Sequence, residues 1–402
     1  MRPFTSIISL DEARRRLNAA VIPIARTERV PLGAAAGRVA AADVTSPLDV
    51  PPFARSEMDG YAVIAADIAA ASPTSPVRLR VVERIYTGQM PKTPLVWTLC
   101  AEIATGAALP VGADAVVMVE NTLKEGDDGV RVFAAVAPGQ NTCRRGSDIC
   151  TGILVVRRAD FLNPGRVGAL AAIGLPDVAV YARPRVAILS TGNEVVEPGQ
   201  PLEPGQIFDV NRFTLAALVA AHGGLPEPHH PAQDTLDALT RAVDECDDTD
   251  LIVFSGGSSV GERDLIADLI AARGEMVFHG IAVKPGKPTA FGLVAGRPFF
   301  GMPGNPTSCL SNAYILLVPF LRAIARLPAL PERIARVPLA RRLVSSAGRH
   351  QFYTVRLEGG AAVPAFKGSG NITSLSQADG YIEIPADQSV VEEGMVVEVT
   401  LF

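Results

Sequence analysis

The sequence predicts a multidomain protein of α/β and β parts, and three observations support that prediction. The chain has 402 residues, more than one hydrophobic core usually organises, and 48% of them are hydrophobic. Between residues 182 and 328, apolar strand-like runs alternate with helical runs, which is typical of a mostly parallel sheet. Segments 45–140 and 329–402 instead contain short β-like runs separated by turn residues.

The N-terminal part of the chain is predicted to be a discontinuous domain. Ser9 and Glu12 have the spacing of a capping box at the start of a helix, and residues 141–181 return to a helical pattern. Segments 1–44 and 141–181 therefore predict one domain, with the β-rich segment 45–140 inserted in it. Segment 182–328 predicts an α/β domain, and segment 329–402 predicts a small β domain.

Composition and charge exclude several classes of protein. The formal net charge is −5 and no block of five like charges occurs, which argues against a nucleic-acid or membrane-surface protein. The five cysteines form no C-x-x-C pair, so neither a disulfide framework nor a zinc site is indicated. The sequence begins without a signal-type apolar stretch and contains no run of about 18 uncharged apolar residues. We therefore expect a cytoplasmic protein.

Three loops that follow predicted strands in segment 182–328 are candidate ligand sites. Ligands of open α/β sheets bind beyond the carboxyl ends of the strands, where helices begin with free amides. Any one such glycine-containing turn is more often structural, but three at successive strand ends predict a ligand with several chemical groups. The loops contain Ser190, Thr191, Gly192 and Glu194; Gly256, Gly257, Ser259 and Asp264; and Gly304, Asn305, Pro306 and Thr307.

Charged residues near these loops indicate what the ligand carries. Lys284 and Lys287 lie in a proline-braced turn, which favours contact with phosphate or another oxyanion over two solvated surface lysines. Carboxylates at predicted element ends are ordinary helix caps when isolated; beside a phosphorylated ligand they favour Mg²⁺. These carboxylates are Glu194, Asp209, Asp234 and Asp264. The residues alone thus predict a Mg²⁺-dependent enzyme for a phosphorylated anion.

The motifs also carry a family resemblance. The stretches SEMDGYAV, TGAALPVGADAVVMVE, GSDI, STGNEVVEPG, GQIFDVNR, SGGSSVGERD, KPGKPTAFG, GMPGNPTS and GSGNITSLSQADGYIEIP occur in this order. The chain thereby resembles, almost end to end, the molybdopterin molybdenumtransferases, which include MoeA of bacteria and the E domain of gephyrin. The resemblance implies an elongated discontinuous helical domain, an inserted β domain, an α/β molybdopterin-binding domain and a C-terminal β barrel.

The resemblance also implies a reaction and a set of partners. Molybdenum from molybdate would be inserted into adenylylated molybdopterin, with Mg²⁺ and with release of AMP. The active site would be shared between the protomers of a homodimer. The molybdopterin adenylyltransferase and molybdoenzyme apoproteins are further implied partners.

Site residues follow by matched position. The implied catalytic residues are Asp59, Glu194, Asp234, Asp264, Lys284 and Lys287, of which Glu194, Asp234 and Asp264 would lie near the metal. The implied substrate-binding residues are Thr105, Asp148, Ser190, Thr191, Gly192, Asp209, Asn211, Gly256, Gly257, Ser259, Gly304, Asn305, Pro306, Thr307, Arg349 and Ser369. Asp59, Thr105 and Asp148 would face the ligand from the partner protomer.

Departures from the family pattern, among them Glu102 and Ser258, keep alternatives open. Glu102 stands where the family usually has arginine, and Ser258 stands where a small apolar residue is usual. The alternatives are a molybdopterin adenylyltransferase-like activity, a divergent paralogue with another substrate, and a scaffold protein of the same family.

Overall fold

The computed structural model describes residues 7–256, 265–345 and 348–402, and the chain divides into two compact units. The larger unit comprises Met1–Glu28, Gly37–Val39 and Tyr181–Phe402. The smaller unit comprises Arg29–Ala36 and Ala40–Val180.

A six-stranded sheet forms the centre of the smaller unit. In spatial order its strands are Ala115–Met118, Gly60–Val63, Leu99–Ile103, Val77–Ile85, Gly129–Val132 and Thr122–Glu125. Alternate residues such as Tyr61 and Val63 point into one buried core, while Ala62 points into another on the opposite face. The short β-like runs predicted in segment 45–140 form this sheet.

The rest of the smaller unit consists of one helix and short ladders. Helix Pro164–Ala172 has a proline in its first turn and Asn163 as its N-cap, and the Asn163 side chain accepts a hydrogen bond from the Arg166 amide. Strands Arg55–Ser56 and Val44–Thr45 pair with Thr142–Cys143 and Leu154–Val156, respectively. The remaining short elements are strands Thr27–Pro31 and Asp177–Tyr181 and the 3₁₀ turns Leu32–Ala34, Ala65–Ile68 and Val119–Asn121.

The larger unit contains the predicted α/β sheet. In spatial order its strands are Leu225–Pro228, Arg185–Ser190, Leu251–Ser255, Arg297–Met302, Ala290–Val294 and Gly274–His279. Neighbours among the first four strands pair in parallel, whereas the fourth and fifth strands, and the fifth and sixth, pair antiparallel. The parallel part of the sheet therefore carries the candidate ligand loops. The apolar strand-like runs of the sequence, RVAILST, DLIVFSGG and RPFFGMPG, coincide with the second, third and fourth strands. The first, fifth and sixth strands are not among the predicted runs.

Helices cover both faces of this sheet. Val186 and Ile188 face one core, whereas Ala187 and Leu189 face the other, because successive side chains of a strand alternate. Helix Leu10–Ala19, capped by Ser9 as predicted, packs on the first core. The other helical segments are Asn211–Ala221, Leu236–Asp244, Leu265–Arg273, Pro306–Asn312, the π-helical turn Ala313–Leu317, and Val318–Ile324.

The continuous helical stretch Pro306–Ile324 is apolar because it lies inside the protein. It has the length and composition of a membrane-crossing helix, but 72% of its apolar window is buried in this structure. Cys309, Ala313 and Leu317 in this stretch belong to the core on the first face of the α/β sheet.

The C-terminal segment forms a second sheet of the larger unit. Its strands run in the order Val283–Lys284, His350–Glu358, Gly380–Ile384, Val396–Leu401 and Ile334–Pro338, and Ala361–Pro364 pairs with His350–Glu358. The short elements of the larger unit are strands Val195–Val196, Ile207–Phe208, Leu343–Val344 and Val390–Val391 and helix Thr373–Ser376. The closed barrel that the resemblance implies stays a prediction.

Candidate functional site

The three predicted loops meet at the carboxyl end of the parallel strands. Ser190, Ser255 and Met302 end neighbouring strands in register, so the loops that follow them begin side by side. A Cβ atom on Gly256 would lie 2.4 Å from the Thr191 carbonyl oxygen, and one on Gly304 would lie 3.5 Å from the Gly256 Cα. Bare backbone therefore forms the contact between the loops.

The middle loop is described only at its start. Gly256 has a positive φ of 100°, a conformation that favours glycine. The predicted site residues Gly257, Ser259 and Asp264, together with Ser258, lie outside the described residues.

A buried polar network supports the first loop. The Ser190 hydroxyl donates to Asp209 Oδ2 at 2.7 Å, and the Arg212 amide donates to Asp209 Oδ1 at 3.0 Å. The Arg212 guanidinium lies 3.5 Å from Asp209 and 2.5 Å from Glu197, and its side chain is 8% exposed. Ser190 and Asp209 are thus hydrogen-bonded to each other, and Asp209 is also bonded to Arg212.

Two exposed carboxylates flank the same loop. The Thr191 hydroxyl donates to the Ala232 carbonyl at 3.1 Å and lies 3.4 Å from Asp234 Oδ1. Glu194 folds back over Gly192, since a Cβ atom on that glycine would lie 2.9 Å from Glu194 Oε2. Glu194 and Asp234 are exposed, unlike Asp209.

These carboxylates suit a hydrated magnesium ion better than a metal held by protein alone. Among residues 7–256, 265–345 and 348–402, no group of three His, Cys, Asp or Glu side chains could hold a metal. Mg²⁺ commonly takes one or two carboxylates and completes its shell with water and substrate phosphate. Glu194 and Asp234 fit that donor set.

Residues of the C-terminal segment contact the third loop. Asn305 Nδ2 donates to the Ser369 hydroxyl at 3.2 Å, and the Thr307 hydroxyl donates to the Asn371 carbonyl at 2.7 Å. The Ser369 carbonyl accepts from the Thr307 and Ser308 amides at 3.0 and 3.4 Å. The Thr307 and Ser308 amides, in the first turn of helix Pro306–Asn312, are therefore bonded to the protein in this structure.

Asn211, the first residue of helix Asn211–Ala221, is hydrogen-bonded to the third loop. Its Nδ2 donates to the Gly304 carbonyl at 2.8 Å, and the residue is 7% exposed. Its Oδ1 is buried and accepts no hydrogen bond from the part of the chain that the structure describes. The predicted residues Asn211, Gly304, Asn305, Thr307 and Ser369 thus lie together.

The predicted cationic residues lie at the start of the C-terminal sheet. Strand Val283–Lys284 pairs in parallel with His350 and Gln351, directly after Arg349. Lys284 and Lys287 are half-buried, and Arg349 is exposed. The structure thus places the turn that carries Lys284 and Lys287 beside the strand that follows Arg349.

The smaller unit holds the remaining predicted residues. Asp59 Oδ1 accepts hydrogen bonds from the Thr105 amide at 2.7 Å and the Thr105 hydroxyl at 3.0 Å, and these bonds lower the pKa of Asp59. Asp148 is exposed on another segment, where its amide donates to the Val50 carbonyl at 3.0 Å. The carboxylate of Glu102 pairs with Arg84 on the neighbouring strand at 2.8 Å, so its charge is offset locally.

Sequence reasoning missed three residues that shape the site. Arg212 and Glu197 complete the network around Asp209, and Asn371 binds Thr307. All three lie inside motifs that the resemblance quotes, but only the fold reveals their partners.

Comparisons with known proteins identify the family. The MoeA N-terminal region (domain I and II) matches residues 8–174, a probable molybdopterin binding domain matches residues 187–323, and the MoeA C-terminal region (domain IV) matches residues 336–402. A molybdopterin molybdenumtransferase 2 from Mycobacterium tuberculosis is 35% identical over 399 residues, covering 96% of this chain and 98% of the relative. The chain belongs to the MoeA family.

Other MoeA-family relatives agree over the whole length. A molybdopterin molybdenumtransferase from Haemophilus influenzae is 32% identical, covering 98% of this chain and 99% of the relative. A crystal structure of the molybdopterin biosynthesis MoeA protein from Pyrococcus horikosii has a TM-score of 0.84 and 40% identity, covering 98% of this chain and 99% of that one. This MoeA-family chain is therefore an enzyme of molybdenum cofactor biosynthesis.

Proposed function

We propose that this enzyme transfers molybdenum from molybdate to adenylylated molybdopterin and releases AMP. The observation that carries the proposal is the meeting of three backbone-lined loops at one sheet edge, in a chain matched end to end by molybdenumtransferases. In the overall reaction, the anhydride between the nucleotide and the pterin phosphate breaks, and an oxygen from water or molybdate completes the phosphate of AMP. The two dithiolene thiols give up their protons and bind molybdenum, and each oxygen that they displace from molybdate leaves as water or hydroxide or is the oxygen that completes AMP; molybdenum keeps its oxidation state.

Residues of the larger unit would bind the pterin and hold the loops in place. Thr191, Gly192, Gly256, Gly304, Asn305 and Pro306 lie where the loops meet and would cradle the pterin and its phosphate. The buried Oδ1 of Asn211 supports a role in binding, because a buried acceptor without a partner favours a ligand that donates a hydrogen bond. Ser190 and Asp209 would hold the first loop in place rather than contact substrate.

The charged residues would act on the anhydride and on molybdate. Glu194 and Asp234 would hold Mg²⁺, together with Asp264. When bound, Mg²⁺ would offset charge on the phosphate oxygens. Lys284, Lys287 and Arg349 would offset charge on molybdate and on the departing nucleotide, as cations do in phosphoryl chemistry.

A homodimer with shared active sites completes the proposal. Asp59, Thr105 and Asp148 would reach the ligand of the partner protomer, as the family resemblance implies. The exposure of Asp59 and Asp148 supports this, since neither carboxylate is buried in its own protomer. We expect the dimer to work in the cytoplasm beside the adenylyltransferase that makes its substrate and the apoproteins that take its product.

One assay tests the proposed reaction. Purified protein receives adenylylated molybdopterin and Mg²⁺, with or without molybdate, and AMP is measured by chromatography. We expect AMP release that depends on molybdate. Folded, dimeric protein that releases no more AMP with molybdate than without it would contradict the proposal.

A further inference from the structure

A buried asparagine holds the turn that carries the two predicted lysines. Asn312 is fully buried at the end of helix Pro306–Asn312, and its Nδ2 donates to the Gly286 carbonyl at 2.8 Å and to the Thr289 hydroxyl at 2.5 Å. The Thr289 hydroxyl donates in turn to the Gly286 carbonyl at 2.9 Å. The centre of the lysine turn, residues 284–287, is thus bonded to the helix.

The fit between the turn and the asparagine leaves no room for adjustment. Gly286 has a φ of 103°, and a Cβ atom on it would lie 2.0 Å from Asn312 Nδ2. The Ile281 amide also donates to the Lys287 carbonyl at 2.9 Å, which fixes the far end of the turn. Both lysines therefore project from a backbone that the protein core positions.

The same helix connects the turn to the ligand loops. Its first residues follow Asn305, which contacts Ser369, and its last residue is Asn312. Seven residues of α-helix span roughly 10 Å, so one rigid element sets the distance between the third loop and the lysine turn. In its middle, Cys309 is fully buried, and this burial raises the pKa of its thiol.

We propose that Asn312 is a positioning residue for molybdenum transfer, which sets where Lys284 and Lys287 meet the oxyanion. The inference rests on the proposed function. Asn312 touches no reacting atom; it acts through the Gly286 carbonyl and Thr289. A lysine displaced by about 1 Å binds the developing charge less well, and such misplacement costs up to about a hundredfold in rate.

The first experiment compares variants in the AMP assay and in a double-mutant cycle. Asn312→Ala should lower kcat/KM for molybdate about tenfold, and should lower it less than about twofold when Lys287→Ala is already present. Ser311→Ala, a buried change on the same helix, serves as the matched control and should stay within about twofold of wild type. An equal loss in both backgrounds would show that Asn312 acts on stability alone and would overturn the inference.

The second experiment reads lysine position without the reaction. The chain contains five lysines, Lys92, Lys124, Lys284, Lys287 and Lys367, so amine labelling followed by mass spectrometry resolves each one. Asn312→Ala should change the labelling rates of Lys284 and Lys287 severalfold and leave Lys92 and Lys124 unchanged. Unchanged labelling rates at Lys284 and Lys287 would refute the positioning role of Asn312. Wild-type protein that releases no AMP would instead refute the proposed function on which the inference rests.

A gentler pair of variants covers the case in which Asn312→Ala does not fold. Thr289→Val keeps the shape of the side chain but removes the hydroxyl that bonds Asn312 and Gly286, whereas Thr289→Ser keeps the hydroxyl. We expect Thr289→Val to lower kcat/KM about threefold and to alter labelling of the two lysines, and Thr289→Ser to restore both. Equal kcat/KM and equal lysine labelling in the two Thr289 variants would contradict the proposed role of the hydrogen bonds among Asn312, Thr289 and Gly286.

Discussion

At the residue scale, burial separates two aspartates that sequence reasoning placed in one site. Asp209 is 4% exposed and bonds Ser190 and the buried Arg212, whereas Asp234 is exposed. Asp209→Ala should lower the free energy of unfolding by about 3 kcal/mol, because it leaves a buried cation with fewer partners. Asp234→Ala should change it by less than about 0.5 kcal/mol while lowering AMP release. Denaturant unfolding distinguishes the two, and equal losses of stability would contradict this division.

A second residue-scale prediction concerns the pKa of Asp59. The amide and hydroxyl of Thr105 stabilise the charged carboxylate and lower its pKa, so their contribution to stability is present above the unfolded-state pKa. That contribution is lost as the pH falls below about 4 and through the folded-state pKa of Asp59. Thr105→Val removes only the hydroxyl and should raise the pKa of Asp59 part of the way to its ordinary value. Carbon-13 NMR titration measures this, with Thr74→Val as a remote control; an unmoved pKa would count against the hydroxyl's role.

At the element scale, the contact between two strand-end loops depends on one glycine. Gly256→Ala adds a Cβ atom 2.4 Å from the Thr191 carbonyl oxygen at a φ of 100°. The first and second loops must then separate, which should cost about 1–3 kcal/mol of stability and most of the AMP release. Gly304→Ala is the matched control, because its added Cβ atom would lie 3.5 Å from the nearest atom, the Gly256 Cα. Thermal unfolding that finds both variants as stable as wild type would disprove the predicted clash.

The elements themselves were largely predictable from local sequence. Continuous apolar runs locate strands Arg185–Ser190 and Leu251–Ser255, and a helical pattern locates helix Asn211–Ala221. Ser9 predicts the start of helix Leu10–Ala19. Strand Leu225–Pro228 escapes prediction because its two prolines weaken the strand pattern and only an edge position tolerates them. The positions of elements were therefore easier to predict than their partners.

At the scale of the whole molecule, tertiary contacts decide which polar residues remain available. Strand-end position predicts that Ser190, Gly256 and Gly304 lie together, and they do. The same rule places Thr307 in a candidate ligand loop, but the Ser369 carbonyl from a distant segment accepts a hydrogen bond from the Thr307 amide. Likewise no local pattern predicts that Asn312 reaches Gly286, because 26 residues separate them in the chain. Long-range hydrogen bonds are the part of the site that the sequence alone leaves open.

The proposed shared active site makes a prediction for mixed dimers. Asp59→Asn and Asp234→Asn should each abolish most AMP release, the first from the smaller unit and the second from the larger. In a heterodimer of the two variants, purified through two different tags, a shared arrangement leaves one of two sites intact. About half of the wild-type activity should return.

The reciprocal heterodimer distinguishes a shared site from one built within a protomer. Wild-type chain paired with an Asp59→Asn, Asp234→Asn double variant places one substitution in each shared site, so activity should stay low. If each protomer carried a complete site, this dimer would instead keep about half of the activity and the first heterodimer would have almost none. Because the two arrangements predict opposite outcomes from the same four chains, the comparison depends on no estimate of dimer affinity or substitution severity.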